Sequence, residues 1–226
     1  MSKPVRIALV GATGLVGQAL IRAAVGRSDI RLVAIARREV PLPPGARMEV
    51  LVAEPQGWAD AIAAANADAV VCALGTTIRR VGGDQQAFRA VDYDLVLAVA
   101  RAAKTAGVGQ FIVVSSVGAS LATKNFYLRT KGEVEQALAK LGLTRLDIIR
   151  PGLLRGQRGE RRPAEKLAMF AAPLADFVLH GGYRKYRSVR DGVVARALIG
   201  LAKEKPAGRF VHEYDAIQRA ARKGGD

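Results

Sequence analysis

The feature that most constrains the fold is a glycine-rich turn that directly follows an apolar run. Val5 to Val10 has the length of a strand, Ile7 to Val10 are continuously apolar as in a strand buried on both faces, and Gly11, Gly14 and Gly17 follow. Apolar residues then recur with helical spacing from Leu15 to Val25. A strand, a glycine turn and a helix in this order predict a βα unit whose helix N-terminus can bind a phosphate group.

Each glycine has its own part in such a unit. Gly11 permits the tight turn, Gly14 lets the backbone approach a pyrophosphate, and Gly17 lets the helix pack closely on the strand. A glycine turn that binds nothing is the alternative, but the position between strand and helix favours a dinucleotide site. The residues predicted to contact the dinucleotide here are Gly11, Thr13, Gly14, Leu15, Val16 and Gly17.

The alternation of strand and helix continues along the chain. Further strands are predicted at Leu32–Ala36, Met48–Val52, Ala69–Ala73, Phe111–Val114 and Leu146–Ile149, and further helices at Ala87–Ala106 and Asn125–Leu141. This alternation requires crossover connections and therefore a parallel sheet with helices on both faces. We predict the α/β class, with a doubly wound parallel sheet of the Rossmann type and a small C-terminal cap.

The chain of 226 residues is long enough for one large core, so residues 1–226 are predicted to form a single domain. Residues 1–150 would be the Rossmann core and residues 151–226 a C-terminal elaboration on the substrate side. In that last part the pattern indicates a helix that ends at about Leu179, a short strand near Tyr186, a helix from Asp191 and a last strand over Arg209–Tyr214.

Two adjacent arginines follow the second predicted strand. A protein specific for NAD usually carries an acidic residue about 20 residues past the glycine turn, where it bonds the ribose 2′-hydroxyl. This chain has Arg37 and Arg38 at that place. A carboxylate would repel a 2′-phosphate, whereas guanidinium groups bind it with charge-assisted hydrogen bonds. The predicted cofactor is therefore NADP(H) rather than NAD; the alternative is that both arginines only solvate the strand end.

A tyrosine and a lysine lie one helical turn apart after a strand that ends in serines. Tyr127 and Lys131 share a helix face, and the preceding strand is followed by Ser115 and Ser116. Hydride transfer requires a group that exchanges a proton with a carbonyl or hydroxyl oxygen, and an ammonium nearby stabilises a phenolate. Such a pair alone is usually an ordinary surface pair. After the glycine turn it predicts a catalytic trio of Ser116, Tyr127 and Lys131, with Ser115 as the alternative serine.

Several short motifs carry a family resemblance over nearly the whole chain. They are residues 11–17, 72–77, 90–92, 115–119, 126–133 and 150–152. The chain resembles the short-chain dehydrogenase/reductase superfamily, and more closely its small atypical branch of Tat-interacting-protein-like and NmrA-like proteins. The resemblance implies that Tyr127 is the acid or base and that Lys131 also bonds the nicotinamide ribose. It further implies contacts of the adenine-side ribose with Leu74, Gly75 and Thr76 and of the nicotinamide with Pro151, Leu153 and Leu154.

The chain departs from larger members of the superfamily in two respects. Asp92 stands where those proteins commonly carry an asparagine of the proton relay. The C-terminal part is also much shorter than in sugar-nucleotide epimerases, which argues against epimerase or dehydratase chemistry on a large nucleotide sugar. The leading hypothesis is an NADP(H)-dependent oxidoreductase acting on a small carbonyl or alcohol. The alternative is a non-enzymatic NADP(H)-binding redox sensor that recognises a protein partner.

The remaining expectations concern partners and location. The net charge of +15 would attract nucleic acids, but its basic residues are scattered and no aromatic-interleaved motif accompanies them, so no specific nucleic-acid binding is predicted. His180 and His212 have no metal-ligand spacing, and the apolar stretch from Leu167 to Leu179 is too short to cross a membrane. The single cysteine, Cys72, indicates a reducing compartment and a cytoplasmic location. Partners are predicted to be the dinucleotide and a small-molecule substrate, with a homodimer or a protein partner left open.

Overall fold

The protein is seen in a computed structural model that describes residues 3–156 and 179–225. One parallel sheet contains seven strands: β1 (Val5–Val10), β2 (Ile30–Ala36), β3 (Glu49–Val52), β4 (Ala69–Cys72), β5 (Gln110–Val114), β6 (Arg145–Ile149) and β9 (Gly208–His212). Their order in the sheet is β3-β2-β1-β4-β5-β6-β9. Two short strands, β7 (Leu154–Arg155) and β8 (Val189–Arg190), form a separate parallel pair.

Helices cover both faces of the sheet. They are α1 (Leu15–Ala24), α2 (Trp58–Ala65), α3 (Gln85–Arg89), α4 (Val96–Thr105), α5 (Phe126–Ala139), α6 (Asp191–Ala202) and α7 (Tyr214–Lys223). One apolar core joins the sheet to α1, α6 and α7, and the other joins it to α2, α4 and α5. The central strands can be apolar on both sides because both faces are buried. The predicted doubly wound α/β fold is confirmed.

The strand order reverses between β2 and β4, which both pair with β1. Val10 at the end of β1 lies opposite Ile35 of β2 and Cys72 of β4. The residues that follow these three strands therefore emerge at the same edge of the sheet. In open α/β sheets, ligands bind in the crevice outside the carboxyl ends of the strands at such a reversal.

The C-terminal part differs from the sequence prediction in its details. The short strand predicted near Tyr186 is present but lies further along the chain, at Val189–Arg190, because residues Gly181–Tyr186 form a 3₁₀ helix. Gly181, at a φ of +55°, allows the tight turn that begins the 3₁₀ helix. The predicted helix from Asp191 is present as α6. The last strand begins at Gly208 and ends at His212, and α7 follows it, a helix that the sequence analysis did not predict.

The segment from Val189 to Lys223 contributes directly to the main layers of the fold. β9 extends the large sheet beside β6, and α6 packs against α1 and α7. The helix predicted to end at about Leu179 lies outside the described residues except for its last position. The division of the chain at residue 150 stays a prediction. Over the part of the chain that the structure describes, no helix combines the length and apolar character needed to cross a bilayer.

Candidate functional site

The glycine loop after β1 is packed so closely that side chains would not fit at two of its positions. Gly11 has a φ of +94°, and a Cβ there would lie 2.6 Å from the backbone carbonyl carbon of Ala73. A Cβ at Gly17 would lie 2.2 Å from the carbonyl oxygen of Gly11. The Gly14 amide donates to the same Gly11 oxygen over 3.1 Å, which closes the turn. The glycines thus bring the turn, the segment after β4 and α1 together.

The first turn of α1 is suited to bind an anion. Gly14 is the N-cap residue, no side chain caps the helix, and the first turn contains no acidic residue. The backbone N–H groups at this end therefore carry the positive end of the helix dipole without an internal anionic partner. Thr13 is exposed beside this turn, and Val16 is buried in the core. Leu15 lies close to the backbone of Gly156, where an added Cβ would be 2.6 Å from Leu15 Cδ1. The loop fits a dinucleotide pyrophosphate.

Substituting Gly17 by alanine should weaken both folding and dinucleotide binding. The new methyl group would meet the Gly11 carbonyl, so the loop must shift, and overpacking of this kind costs about 1–3 kcal/mol of unfolding free energy. We expect NADPH affinity to fall by about tenfold or more, equivalent to about 1.4 kcal/mol. Chemical denaturation and calorimetric titration measure the two effects. The matched control is Gly182→Ala, because no atom lies within 4 Å of a Cβ there. Equal results for both variants would contradict the packing argument.

Arg37 and Arg38 follow β2 directly and are both exposed. The parallel register, with Val10 opposite Ile35, brings them to the sheet edge on which the glycine loop lies. Neither guanidinium forms an ion pair with a carboxylate in residues 3–156 and 179–225. Both guanidinium groups are therefore available to bind an anionic ligand beside the glycine loop.

The segment after β4 is connected to α5 by a buried carboxylate. Asp92 accepts a hydrogen bond from the Thr76 amide to Oδ2 over 2.7 Å, and its Oδ1 lies 2.7 Å from the Nζ atom of Lys131. A Cβ at Gly75 would lie 3.4 Å from that Oδ1. Leu74 is half-buried, and Cys72, the last residue of β4, is fully buried. Burial raises the pKa of the Cys72 thiol to about 11, so this cysteine is not a reactive nucleophile.

Tyr127 lies in the first turn of α5, one turn before Lys131. Asn125 caps this helix, because its Oδ1 accepts the Leu128 amide over 3.0 Å. The Tyr127 ring packs edge-on against buried Phe88, with 5.8 Å between ring centroids, and 36% of the residue remains exposed. Phe88 therefore holds the ring while the residue stays accessible to a ligand. The sequence analysis did not single out Phe88.

The two serines after β5 have different surroundings. The buried Ser115 hydroxyl donates to Oε1 of Glu135 over 2.5 Å, and Glu135 is paired with Arg150. The pKa of Arg150 is raised, first by its hydrogen bond to Glu135. Within the described residues, the hydroxyl of half-buried Ser116 makes a single long hydrogen bond, 3.3 Å, to the Val117 carbonyl. Ser116 is thus the serine whose hydroxyl can turn to a ligand, and its assignment to the trio stays a prediction.

The segment after β6 lies beside these serines. The Val117 amide donates to the Pro151 carbonyl over 3.0 Å, and the Ser115 amide donates to Ile149 over 2.7 Å. Pro151 is buried, Leu153 is 54% exposed, and Leu154 belongs to β7. Residues 151–154 therefore border the same edge of the sheet, and their predicted contact with a nicotinamide stays open to test.

Comparison with known proteins identifies the class. A family model described as NAD(P)H-binding matches residues 11–170. The chain belongs to this NAD(P)H-binding family, and the resemblance to the atypical short-chain dehydrogenases/reductases is confirmed.

Among curated proteins, the chain is 31% identical to the mitochondrial protein fmp52 of Emericella nidulans, over 94% of this chain and 97% of that protein. It is 39% identical to the mitochondrial protein FMP52 of Eremothecium gossypii, over 66% of each chain. These relatives are named as mitochondrial, and this contradicts the predicted cytoplasmic location, which is therefore wrong. A lone buried cysteine shows only that the chain forms no internal disulfide, and this does not identify a compartment.

Solved structures share the fold. The structure of MoeE5 with UDP-glucose and NAD aligns with a TM-score of 0.67 and 19% identity, over 92% of this chain and 75% of that one. The oxidoreductase ylbE from Lactococcus lactis aligns with a TM-score of 0.65 and 21% identity, over 96% of this chain and 94% of that one. These likenesses support the Rossmann-type architecture of this NAD(P)-binding protein.

Proposed function

We propose that this protein is an NADP(H)-dependent oxidoreductase that acts on a small carbonyl compound or alcohol. The observation that carries the proposal is the placement of Tyr127 and Lys131 one turn apart on α5, at the sheet edge that also holds Ser116 and the glycine loop. A phenol, an ammonium and a hydroxyl near a dinucleotide loop are the groups that a carbonyl reduction requires.

Each side chain of the trio has a separate role in the proposed reaction. Bound NADP(H) would supply or accept the hydride. In the direction of reduction, the Tyr127 hydroxyl donates its proton to the carbonyl oxygen, and the Ser116 hydroxyl donates a hydrogen bond that holds this oxygen in place. The Lys131 ammonium stabilises the phenolate that remains on Tyr127. In the reverse direction, Tyr127 takes the proton from the alcohol.

A screen of small aldehydes and ketones with NADPH, and of the matching alcohols with NADP⁺, tests the proposal, with the change in nicotinamide absorbance as the measurement. Turnover of one substrate class by the wild-type chain supports it. If NADPH binds tightly and no compound is reduced or oxidised, the non-enzymatic redox sensor replaces it. Tight binding alone does not separate the two functions, because both need the glycine loop.

NADPH should bind at least tenfold more tightly than NADH. Arg37 and Arg38 offer two exposed guanidinium groups to the 2′-phosphate, and tenfold corresponds to about 1.4 kcal/mol. The double substitution of Arg37 and Arg38 by glutamine should remove most of this preference by weakening NADPH and leaving NADH nearly unchanged. Calorimetric titration with both dinucleotides measures it.

The matched control replaces Arg101 and Arg219 by glutamine, which changes the net charge equally. These arginines are exposed on α4 and α7. We expect the control to keep the preference for NADPH. If the control lowered NADPH affinity as much, the effect would come from the general positive field of the protein and not from the arginines after β2.

A further inference from the structure

Large apolar side chains are exposed on the segments that surround the trio. Leu121, in the loop after β5, is 48% exposed, and Leu153, after β6, is 54% exposed. Tyr186, the last residue of the 3₁₀ helix, is 43% exposed. Single apolar residues are normal on a protein surface, whereas several of them around one site indicate a binding surface.

Backbone contacts hold the segment of Tyr186 against the segment of Leu153. A Cβ at Gly152 would lie 2.8 Å from the Tyr186 carbonyl oxygen, so the two backbones approach each other more closely than a side chain would permit. The Val189 amide also donates to the Leu153 carbonyl over 2.9 Å. Leu153 and Tyr186 therefore belong to one surface, which borders the strand end that holds Ser116.

The loop that carries Leu121 is held on the first half of α5. The Ser120 amide donates to the Leu128 carbonyl over 3.3 Å, and a Cβ at Gly132 would lie 2.6 Å from the carbonyl carbon of Ser120. Leu128 directly follows Tyr127 in the first turn of this helix. Leu121 is thus fixed next to the part of α5 that presents the Tyr127 hydroxyl.

Two arginines on this side of the site are already bound within the protein. Arg150 is paired with Glu135. Arg187 donates to the Leu179 carbonyl over 2.8 Å, and its guanidinium lies over the ring of Tyr214. These two groups are therefore less available to a charged substrate than the exposed arginines after β2 are to the dinucleotide. A neutral apolar chain suits this surface better than an anionic group does.

We propose that the substrate carries an apolar chain, which Leu121, Leu153 and Tyr186 bind while its carbonyl or hydroxyl group meets the trio. This inference rests on the oxidoreductase function proposed above and names its substrate class: neutral aldehydes, ketones or alcohols with a hydrocarbon chain. Because the free energy of removing apolar surface from water is proportional to its area, each methylene group of the chain adds to binding.

Two kinds of aldehyde test the proposal in steady-state kinetics with NADPH. From propanal to octanal, kcat/KM should rise about two- to fourfold for each added methylene. The oxo acid of the same chain length as octanal should be poorer by about tenfold or more, because its carboxylate would lose water without gaining a partner. No rise with chain length, or a preference for the oxo acid, would overturn the proposal.

Leu121→Ser tests one of the apolar side chains, and Leu42→Ser is the matched control. Leu42 is 41% exposed on the segment between β2 and β3. The ratio of kcat/KM for octanal to that for propanal should fall by about fivefold or more in Leu121→Ser, since a hydroxymethyl group offers the chain little apolar surface. Leu42→Ser should keep the wild-type ratio. The same ratio in both variants would show that Leu121 does not contact the chain and would overturn its assignment.

Binding of unreactive amides separates this inference from the proposed reaction. Octanamide and propanamide present the same carbonyl group on chains of different length, and neither is reduced by NADPH. In calorimetric titration of the NADPH-bound protein, octanamide should bind about tenfold more tightly or better, and Leu121→Ser should lower that difference. If the difference is present and no aldehyde or alcohol turns over, the proposed reaction fails and the apolar site stands. If aldehydes turn over and chain length changes neither kcat/KM nor amide affinity, the reaction stands and this inference fails.

Discussion

Replacing Tyr127 by phenylalanine should abolish most of the turnover while leaving NADPH affinity and thermal stability nearly unchanged. The substitution removes one hydroxyl and keeps the ring that packs against Phe88. Proton transfer by a positioned side chain contributes about 10² to 10⁴ in rate, which is about 3–5 kcal/mol of activation free energy. Steady-state kinetics on the substrate found in the carbonyl screen, together with calorimetry and thermal unfolding, measure the three quantities.

The control for this experiment is Tyr183→Phe. Tyr183 lies in the 3₁₀ helix Gly181–Tyr186 and is 68% exposed, so its hydroxyl is far less constrained than a catalytic group would be. We expect that variant to turn over normally. Near-normal turnover of Tyr127→Phe would show that another group exchanges the proton, whereas a loss of NADPH affinity in that variant would show that the hydroxyl acts in binding.

The sheet could be predicted from sequence because its strands and helices carry strong local signals. β4 and the last four residues of β1 are continuous apolar runs, whereas alternation with polar residues would have implied a solvent-exposed face. The glycine spacing was also informative, since Gly11 and Gly17 are required by backbone contacts that no larger residue permits. These signals lie within short segments, so no knowledge of distant contacts was needed.

The C-terminal part shows where local signals fail. Gly181–Tyr186 contains two glycines and then two tyrosines that flank an arginine and a lysine, a pattern that a short strand and a 3₁₀ helix share. α7 was missed although its sequence has the pattern of an amphipathic helix, with Ile217, Ala220 and Ala221 buried at helical spacing and charged or polar residues elsewhere. Its stability comes from packing on α6, which the sequence pattern does not reveal.

The candidate site was predictable only in part. The spacing of Tyr127 and Lys131 places them on one helix face, and the position of Arg37 and Arg38 follows from the end of β2. The resemblance put Asp92 at the position of the proton relay, but its ion pair with Lys131 was not predictable from local spacing, since Asp92 comes from a different helical segment, a π-helical turn. Likewise, the bond between Ser115 and Glu135, which distinguishes the two serines, depends on tertiary contact.

A second buried polar cluster ties β5, β6 and β9 together. Asp147 is fully buried and accepts hydrogen bonds from Arg145 at 2.7 and 3.0 Å and from Gln110 at 2.7 Å, and its Oδ1 lies 2.8 Å from Nε2 of His212. Burial opposes ionisation of this carboxyl, but the bonds with His212, Arg145 and Gln110 outweigh it and lower its pKa. His212 therefore has a structural partner that its place in the sequence did not disclose.

Asp147→Asn should destabilise the fold by about 3–5 kcal/mol near neutral pH, because it leaves the buried Arg145 guanidinium without its counter-charge. The pH dependence has a definite sign. A carboxyl whose pKa is lowered by folding contributes stability above its unfolded value of about 3.9, and this contribution is lost as the pH falls through the folded value. The difference in unfolding free energy between wild type and variant should therefore be full at neutral pH and shrink below about pH 4.

Chemical denaturation across this pH range measures the difference, and Asp215→Asn is the matched control. Asp215 pairs with Arg184 over 2.8 Å, but both side chains are about half exposed, at 49% and 47%. An exposed pair of this kind contributes about 0–1 kcal/mol, so the control should change stability little at any pH. If Asp147→Asn were no more destabilising than this control, the cluster would not hold β9 to the sheet. If its effect instead grew on acidification, the carboxyl would have a raised pKa in the folded protein.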